Sequence, residues 1–461
     1  MKRPKMFQRL LPTILGIQLF FLFVAVAGER ANVRGMSMAR TFVAASRGLD
    51  AVGINPANLA LPDEGTVTFS ILPVGFHIGS DFLDYEIYTS YFTGAETDSG
   101  RVARYLNDSD KDRLLSSLED ELPHSRIDLD SRLFGVTLRL PDVGGFAFTV
   151  SENATGFVEV PRDYVEFLLQ GNPVGSGYDF QSTTAMASWS RDYALSFGGA
   201  IPGVAFLKSL AGGASIKLVH GFGYYEVQRF NTSLHTAEDG VLTGSVDFLS
   251  RHTGTLPFDE GYAFFPSPAG TGWGVDLGFT GYVSKYLVVG LSVTDIGNIK
   301  WNKNIRENFA DTTLVVDDPL QSEQRDAIEN VVRGKQRDGS AFRSPLPTTL
   351  RMGCALAVHE MIEDFGSELL LALDYNQGLV TSPSSTTNPR VSLGVEYKLV
   401  DWLPLRSGIS FGGTDNINVA LGFGLNFDFF ELELASENIS WLTEPGSFSH
   451  GSIAIGTRFR L

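Results

Sequence analysis

From Arg390 to Leu461 the chain alternates apolar residues with small or charged ones, in one strand-length block after another. Val391, Leu393, Val395 and Tyr397 sit between Arg390, Ser392, Gly394, Glu396 and Lys398. Successive side chains on a strand point to opposite faces, so this block predicts a strand with one wholly apolar face. The pattern returns at Leu403, Leu405, Ile409 and Phe411, then at Ile417, Val419, Leu421, Phe423 and Leu425. Phe430, Leu432 and Leu434 continue it, and Ile453, Ile455, Phe459 and Leu461 end it. A soluble sandwich would seal such rows inside. A transmembrane barrel turns them to lipid and leaves a lumen of Gly, Ser and charge. The pattern predicts an all-β chain, a single antiparallel up-and-down β-barrel in an outer membrane.

Extended along the chain, the same reading places strands at 66–77, 126–140, 143–156, 182–200, 209–224, 271–282, 285–296 and 344–358. The remainder fall at 367–377, 389–399, 402–412, 416–427, 429–436 and 450–461, about 14 in all. Alternate connections are short: Pro141-Asp142, Pro202-Gly203, Val283-Ser284, Glu360 to Gly366, Val400-Asp401 and Asp428. Most others are long: 78–125, 157–181, 225–270, 297–343, 378–388 and 437–449, with Gly413 to Asp415 the exception. Bacterial barrels have short periplasmic turns and long extracellular loops, so an even count with both termini in the periplasm follows. Sixteen strands is the alternative, because 81–93 and 225–252 also contain strand-like residues. Three long loops carry expected helices: 110–122 capped by Ser109, 161–170 between Pro161 and Gly171, and one opened by Asp318-Pro319 that ends before Gly334.

The first 27 residues read as a secretory signal. Lys2, Arg3, Lys5 and Arg9 precede the apolar stretch Leu10 to Val24, and Ala25-Val26-Ala27 offers a cleavage site. Its removal takes away four cations and no acids, moving the formal charge from −17 to −21. That acidity argues against a nucleic-acid partner. No later segment has the apolar length of a spanning helix, so strands must cross the membrane. Cys354 is the only cysteine and cannot form a disulfide within the chain.

Catalytic chemistry is not expected. His359-Glu360 opens a zinc-protease spacing, but Glu363 stands where the second His belongs. No nucleophile elbow, metal-ligand cluster or cofactor motif is expected, so the chain reads as a non-enzyme without cofactor or metal. Gly270, Gly272, Gly274 and Gly278 alternate with apolar residues, which suits lumen packing better than phosphate binding. The charges on the inward face are Asp276, Arg351, Asp374, Arg390, Glu396, Lys398, Arg406, Glu431 and Glu433. They read either as a ladder of cross-strand ion pairs or as groups that hold a plug or line a passage. Tyr262, Phe264 and Phe265 could meet an apolar ligand at the mouth or belong to the interface girdle.

The segment Gly35 to Ala60, GMSMARTFVAASRGLDAVGINPANLA, resembles the N-terminal hatch of the long-chain fatty-acid transporter superfamily of outer-membrane barrels. That superfamily includes the porin-V-like component of the type IX secretion system. Its Asp-Ala pair and Asn-Pro-Ala signature correspond to Asp50-Ala51 and Asn55-Pro56-Ala57, while the family's following glycine is Asn58 here. GLSVTDIGNIKWNKN, ending at Asn304, and VPRDYVEFLLQGNP, from Val160, are similar to an uncharacterised group within it. The resemblance implies residues 28–65 as a hatch inside the lumen, with 66–461 as the barrel. It also implies passive transport of small hydrophobic molecules. The alternative it leaves open is a docking or assembly platform for secreted proteins. Outer-membrane lipid is the partner common to both.

Overall fold

A computed structural model describes residues 31–63, 65–80, 84–98, 100–118, 122–203, 207–256, 264–318, 321–414, 416–427, 429–439 and 449–461. The expected signal segment lies outside the described residues. The alternating blocks form a closed 14-strand antiparallel barrel. β1 comes in two pieces, Val67–Ile71 and Val74–Ser80, and is followed by β2 (His124–Leu140), β3 (Gly144–Glu159) and β4 (Thr184–Ile201). β5 (Ser209–Thr236), β6 (Gly270–Tyr282), β7 (Leu287–Trp301), β8 (Thr349–Ala357) and β9 (Glu368–Gly378) continue the wall. β10 (Arg390–Val400), β11 (Leu403–Gly412), β12 (Ile417–Asn426), β13 (Phe430–Glu437) and β14 (His450–Arg460) complete it. β14 closes on β1 through pairs such as Phe69 with Phe459 and Phe76 with Ile453.

The faces divide as the alternation requires. Leu393 and Ile453 point outward and are 48% and 56% exposed, whereas Ser392, Glu396 and Arg406 point inward and are buried. A sheet closed this way satisfies its backbone without an edge, and its apolar rows face hydrocarbon. Among the described residues no helix is long and apolar enough to cross a membrane. The break in β1 falls at Pro73, which has no N–H for the ladder, and Leu72 before it has φ 53°. The main chain recovers by a bulge on β2, where Arg132 N–H donates to the Pro73 carbonyl at 3.1 Å.

The sixteen-strand alternative is overturned. β5 runs for 28 residues, and at about 3.3 Å per residue it is far longer than a ~30 Å hydrocarbon core. Its second half, which mixes Arg229, Asn231, Thr232 and Ser233 with single aromatics, has no continuous apolar face. It pairs instead with Leu242–Gly254, which pairs with Arg306–Val316, in a sheet standing beyond the barrel at the long-loop end. The other suspected segment is helical from Tyr85 to Phe92.

In the hatch, α1 spans Val33–Ser37. The loop helices are α2 (Asp108–Ser116), α3 (Arg162–Gln170) and α4 (Ser322–Arg333). α2 is capped by Asn107 rather than Ser109, in a reciprocal pair with Asp110. It also stops short of 122. α3 and α4 end at Gly171 and Gly334, whose φ values of 77° and 67° need glycine. The chain leaves β14 beside its entry to β1: Val67 N–H donates to the Leu461 carbonyl at 3.2 Å. Hatch and C-terminus therefore meet at the short-turn end.

Candidate functional site

Residues 31–61 fill the barrel. Met36, Met38, Phe42, Leu49, Asn55, Ala57 and Asn58 are all at most 1% exposed. Asn32 ties α1 to the next turn, accepting from Gly35 N–H at 3.0 Å and donating to the Asp50 carbonyl at 3.1 Å. Space for this plug comes from the wall. Gly145, Gly198, Gly213 and Gly278 are successive cross-strand partners on β3, β4, β5 and β6. A Cβ on Gly213 would lie 2.4 Å from Ala57 N, and one on Gly278 would lie 2.0 Å from Asn55 Oδ1. The row lets the backbone of Pro56 to Leu59 rest on the sheet itself.

The Asn-Pro-Ala motif sits against that row. Asn55 is extended, φ −152° and ψ 98°, as the residue before a proline must be, and Pro56 opens a 3₁₀ turn through Ala60. Asn55 Nδ2 donates to Thr280 Oγ1 at 2.8 Å and to the Phe279 carbonyl at 3.2 Å, both on β6. Asn58, where the superfamily has glycine, does not adopt a positive φ. No glycine is required, and the side chain is used: its Nδ2 donates to the Val43 carbonyl at 2.9 Å and to Ser46 Oγ at 2.7 Å. Its Oδ1 accepts from Thr280 Oγ1. One threonine on the wall thus joins both asparagines.

The opposite side of the hatch is charged. Arg34 makes a two-point pair with Glu396 at 2.6 and 2.8 Å, and Arg406 reaches both Glu396 and, at 2.7 Å, Glu433. Arg40 pairs with Glu437 at 2.7 Å. Asp50 receives Arg458 at 2.6 Å, and Arg458 lies 3.6 Å from Glu431, which also takes Arg460 at 2.8 Å. Burial alone would raise the Asp50 carboxyl, but the Arg458 charge and hydrogen bond, with Arg34 behind them, hold it below the usual range. Asp374 accepts the backbone N–H groups of Phe42 and Val43, the latter at 2.8 Å.

The remaining inward charges are placed elsewhere. Asp276 shares Lys217 with Asp295, at 2.9 and 2.6 Å, and accepts Asp295 N–H at a bulge in the β6–β7 pairing. Lys398 pairs across strands with Glu368 at the short-turn end. Arg351 and Arg390 face the lumen near the long loops. The sequence singled out Glu396 and Asp50 but not their partners Arg34 and Arg458, nor Glu437, Thr280 and Asn58. Glu437 and Arg458 were legible by parity, each falling in step with inward Glu433 and Ser452.

Between the hatch and the long loops lies a cavity of about 130 Å³. Val52, Gly53 and Ile54 of the hatch form its floor and Tyr224, Trp301 and Leu346 an apolar wall, while Asp130, Arg132, Asp192, Lys217, Asp295 and several serines line the rest. Trp301 is fully buried and lies over glycines: a Cβ on Gly221 would come within 2.3 Å of its ring. Its Nε1 donates to Ser344 Oγ at 2.8 Å. The β9–β10 loop folds inward over the cavity, with Thr155 Oγ1 donating to the Pro383 carbonyl at 3.4 Å. Phe264 stacks on Arg191 at 5.4 Å while Phe265 is 83% exposed. Tyr262 lies outside the described residues.

The family model described as a family of unknown function, DUF5723, matches residues 56–437. The chain belongs to that family. No protein of curated function matches this DUF5723 chain in sequence. Among solved structures it is similar to the P. putida toluene transporter TodX, with 12% identity, a TM-score of 0.45, and 93% and 97% of the two chains covered. It is similar to a Pseudomonas aeruginosa FadL homologue at 13% identity and TM-score 0.47, covering 93% and 98%. The CymD monoaromatic hydrocarbon channel follows at 10% identity and TM-score 0.34, covering 93% and 97%. With its closed sheet, outward apolar rows and buried lumen charges, the DUF5723 chain is an outer-membrane β-barrel.

Proposed function

We propose that this barrel passes small, largely apolar molecules across the outer membrane, and that the hatch around Asn55-Pro56-Ala57 is the element that must shift for passage. The observation that carries the reading is the cavity itself. It is walled by Tyr224, Trp301 and Leu346 and floored by hatch residues Val52 to Ile54, so anything entering from the long loops meets the hatch next. Small-molecule sites are concave and combine apolar walls with placed polar groups that fix orientation, and here Asp130, Arg132, Asp192, Lys217 and Asp295 line the same cavity as the apolar wall. Against docking of secreted proteins, the helices α2 and α3 turn apolar residues such as Leu114 and Phe167 onto the loops rather than away from them. Residues 1–27 would be removed on export and 28–65 would act as the hatch domain; intact-mass analysis of the membrane-extracted protein reads the first of these directly.

The transport test is uptake into proteoliposomes of apolar probes, from monoaromatic to long-chain, through wild type and the Asn55→Ala, Pro56→Ala double variant. Loss of the Thr280 bonds and of the turn that rests on Gly213 should change the uptake rate several-fold for the probes that the cavity admits. Uptake identical to protein-free vesicles for every probe, in both proteins, would end the proposal.

A further inference from the structure

A second chamber lies on the other side of the inward β9–β10 loop, and its chemistry differs from the first. It measures about 140 Å³ and reaches the long-loop end at Thr386, Asn388 and Gly412. Its charged lining is Arg40 from the hatch, Arg126 from β2, Arg351 from β8 and Arg390 from β10, against Asp295, with Asp374 behind the lining within electrostatic reach of Arg351 and Arg390. Asp295 is already engaged by Lys217 at 2.6 Å. Convergence of four arginines runs against composition, since the chain has 53 acidic residues to 36 Lys and Arg.

Arg40, Arg126 and Arg351 are held in place by hydrogen bonds. Arg126 is fixed by Asp128 at 2.9 Å and Arg40 by Glu437. Arg351, 4% exposed, donates to two neutral acceptors, Thr294 Oγ1 and Asn376 Oδ1, both at 3.3 Å. Asn376 is 6% exposed and lines the chamber. With its oxygen given to Arg351, its Nδ2 has no acceptor among the described residues. A buried donor without an acceptor is unfavourable, and the planar guanidinium fork matches carboxylate and phosphate oxygens.

We infer that this chamber binds a compact, water-soluble polyanion through its phosphate or carboxylate oxygens, with Arg351, Arg390 and Asn376 Nδ2 as donors. The inference does not rest on apolar transport through the first cavity. It separates a hydrophilic anion site from the apolar wall at Trp301, the two chambers meeting at Asp295, Pro347 and Ser384.

Calorimetric titration of the full-length protein, folded in a zwitterionic detergent, with pyrophosphate and separately with citrate tests it. Saturable one-site binding is expected to at least one, weakening as sodium chloride is raised. Binding of pyrophosphate alone assigns phosphate chemistry, and of citrate alone carboxylate chemistry. The Arg351→Gln, Arg390→Gln double variant should lose about ten-fold or more in affinity, because charge-assisted bonds are removed. The Arg351→Lys, Arg390→Lys variant should fall between the two, since charge stays while the fork is lost. Heat-dependent gel mobility verifies that each variant keeps its barrel. Should the glutamine variant not fold, Asn376→Leu serves in its place and is expected to weaken binding several-fold. No saturable binding of either anion to wild type overturns the inference, as does equal affinity in the folded glutamine or leucine variant.

Discussion

Against β3 to β6 the hatch is held by shape, with the backbone of Pro56 to Leu59 set directly on Gly145, Gly198 and Gly213 and two asparagines sharing Thr280. Against β10 to β14 it is held by charge. There Arg34, Arg40, Arg406, Arg458 and Arg460 face Asp50, Glu396, Glu431, Glu433 and Glu437, and the signs come out even. The two attachments respond to different perturbations. Neutral packing against glycine has no handle for protons or salt, and it fails only when volume is added. A buried ion network is balanced only while every partner is present; removing one leaves the others unpaired in a place water does not reach. A plug that must stay put and yet move is better served by one fixed edge and one switchable edge than by two of either kind.

Removing Arg458 should break this contrast most severely. Asp50, Glu431 and Glu433 would then lie buried around a missing cation, a situation that costs about 3–5 kcal/mol. Arg458→Ala should therefore unfold at markedly lower denaturant in detergent than wild type, and its hatch should become open to protease while the barrel resists. Arg458→Met, which keeps volume but not charge, should be nearly as damaging if charge is the cause. A methionine variant as stable as wild type would mean that the network contributes packing alone.

On the neutral side the test is volume. Gly213→Ala puts a methyl group where Ala57 N and the Pro56 carbonyl carbon now stand, each 2.4 Å from the new Cβ. Overpacking of this kind costs about 1–3 kcal/mol, and here the backbone of the turn must lift. Single-channel recording in planar bilayers should find larger or more frequent openings than in wild type, without any dependence on salt beyond bulk conductivity. A closed, wild-type trace would mean that the glycine row is not what seats the hatch. Asn58→Gly, which restores the superfamily's residue, probes the same edge from the hatch. It removes the side chain that serves Val43, Ser46 and Thr280, and with partners left unsatisfied the loss should be about 1–3 kcal/mol in thermal or denaturant unfolding. Neutral or positive ΔΔG would place the value of the site in the turn rather than in the asparagine.

The strand alternation made almost all of the barrel legible, because a period of two with one apolar face, repeated through alternately short and long connections, fits a closed wall between lipid and water. It also assigned Glu396, Glu431 and Glu433 to the inward face, and all three are buried. Parity assigns a face but not a partner. Arg34 and Glu396 are 362 positions apart, and nothing local in either sequence context links them. The glycine row was hidden for the same reason: Gly145, Gly198, Gly213 and Gly278 become neighbours only once the register of β3 to β6 is known. The external sheet was missed as such because the second half of β5 keeps a strand's extended preference after losing the apolar face that marks a membrane crossing. Ser109 lost the capping role to Asn107 for want of one detail, the Asp110 carboxylate that returns the bond.

Acid acting on Asp50 separates the two edges with the smallest effect, since Asp50 is one anchor among several. Asp50 is a carboxylate whose folded pKa lies below its unfolded value, because Arg458 and Arg34 outweigh its burial. A group shifted in that direction stabilises fully above the unfolded carboxylate pKa, about 3.9, and its contribution disappears as pH falls through the lower folded value. Between neutrality and pH about 4 the hold of Asp50 on the charged edge should therefore be unchanged. Below that it should loosen, while the edge at Asn55 to Ala60, which carries no titratable group, should not. Hydrogen exchange followed by mass spectrometry, corrected for intrinsic rates, should find residues 33–50 losing protection at low pH ahead of 55–60. Loss in the reverse order, or equal loss in both peptides, would show that the hatch leaves as one body and that its two edges are not independent. Asp50→Asn supplies the control: with the carboxylate gone, residues 33–50 should be less protected at neutral pH, and should lose less further protection than wild type as the pH is lowered through Asp50's own range.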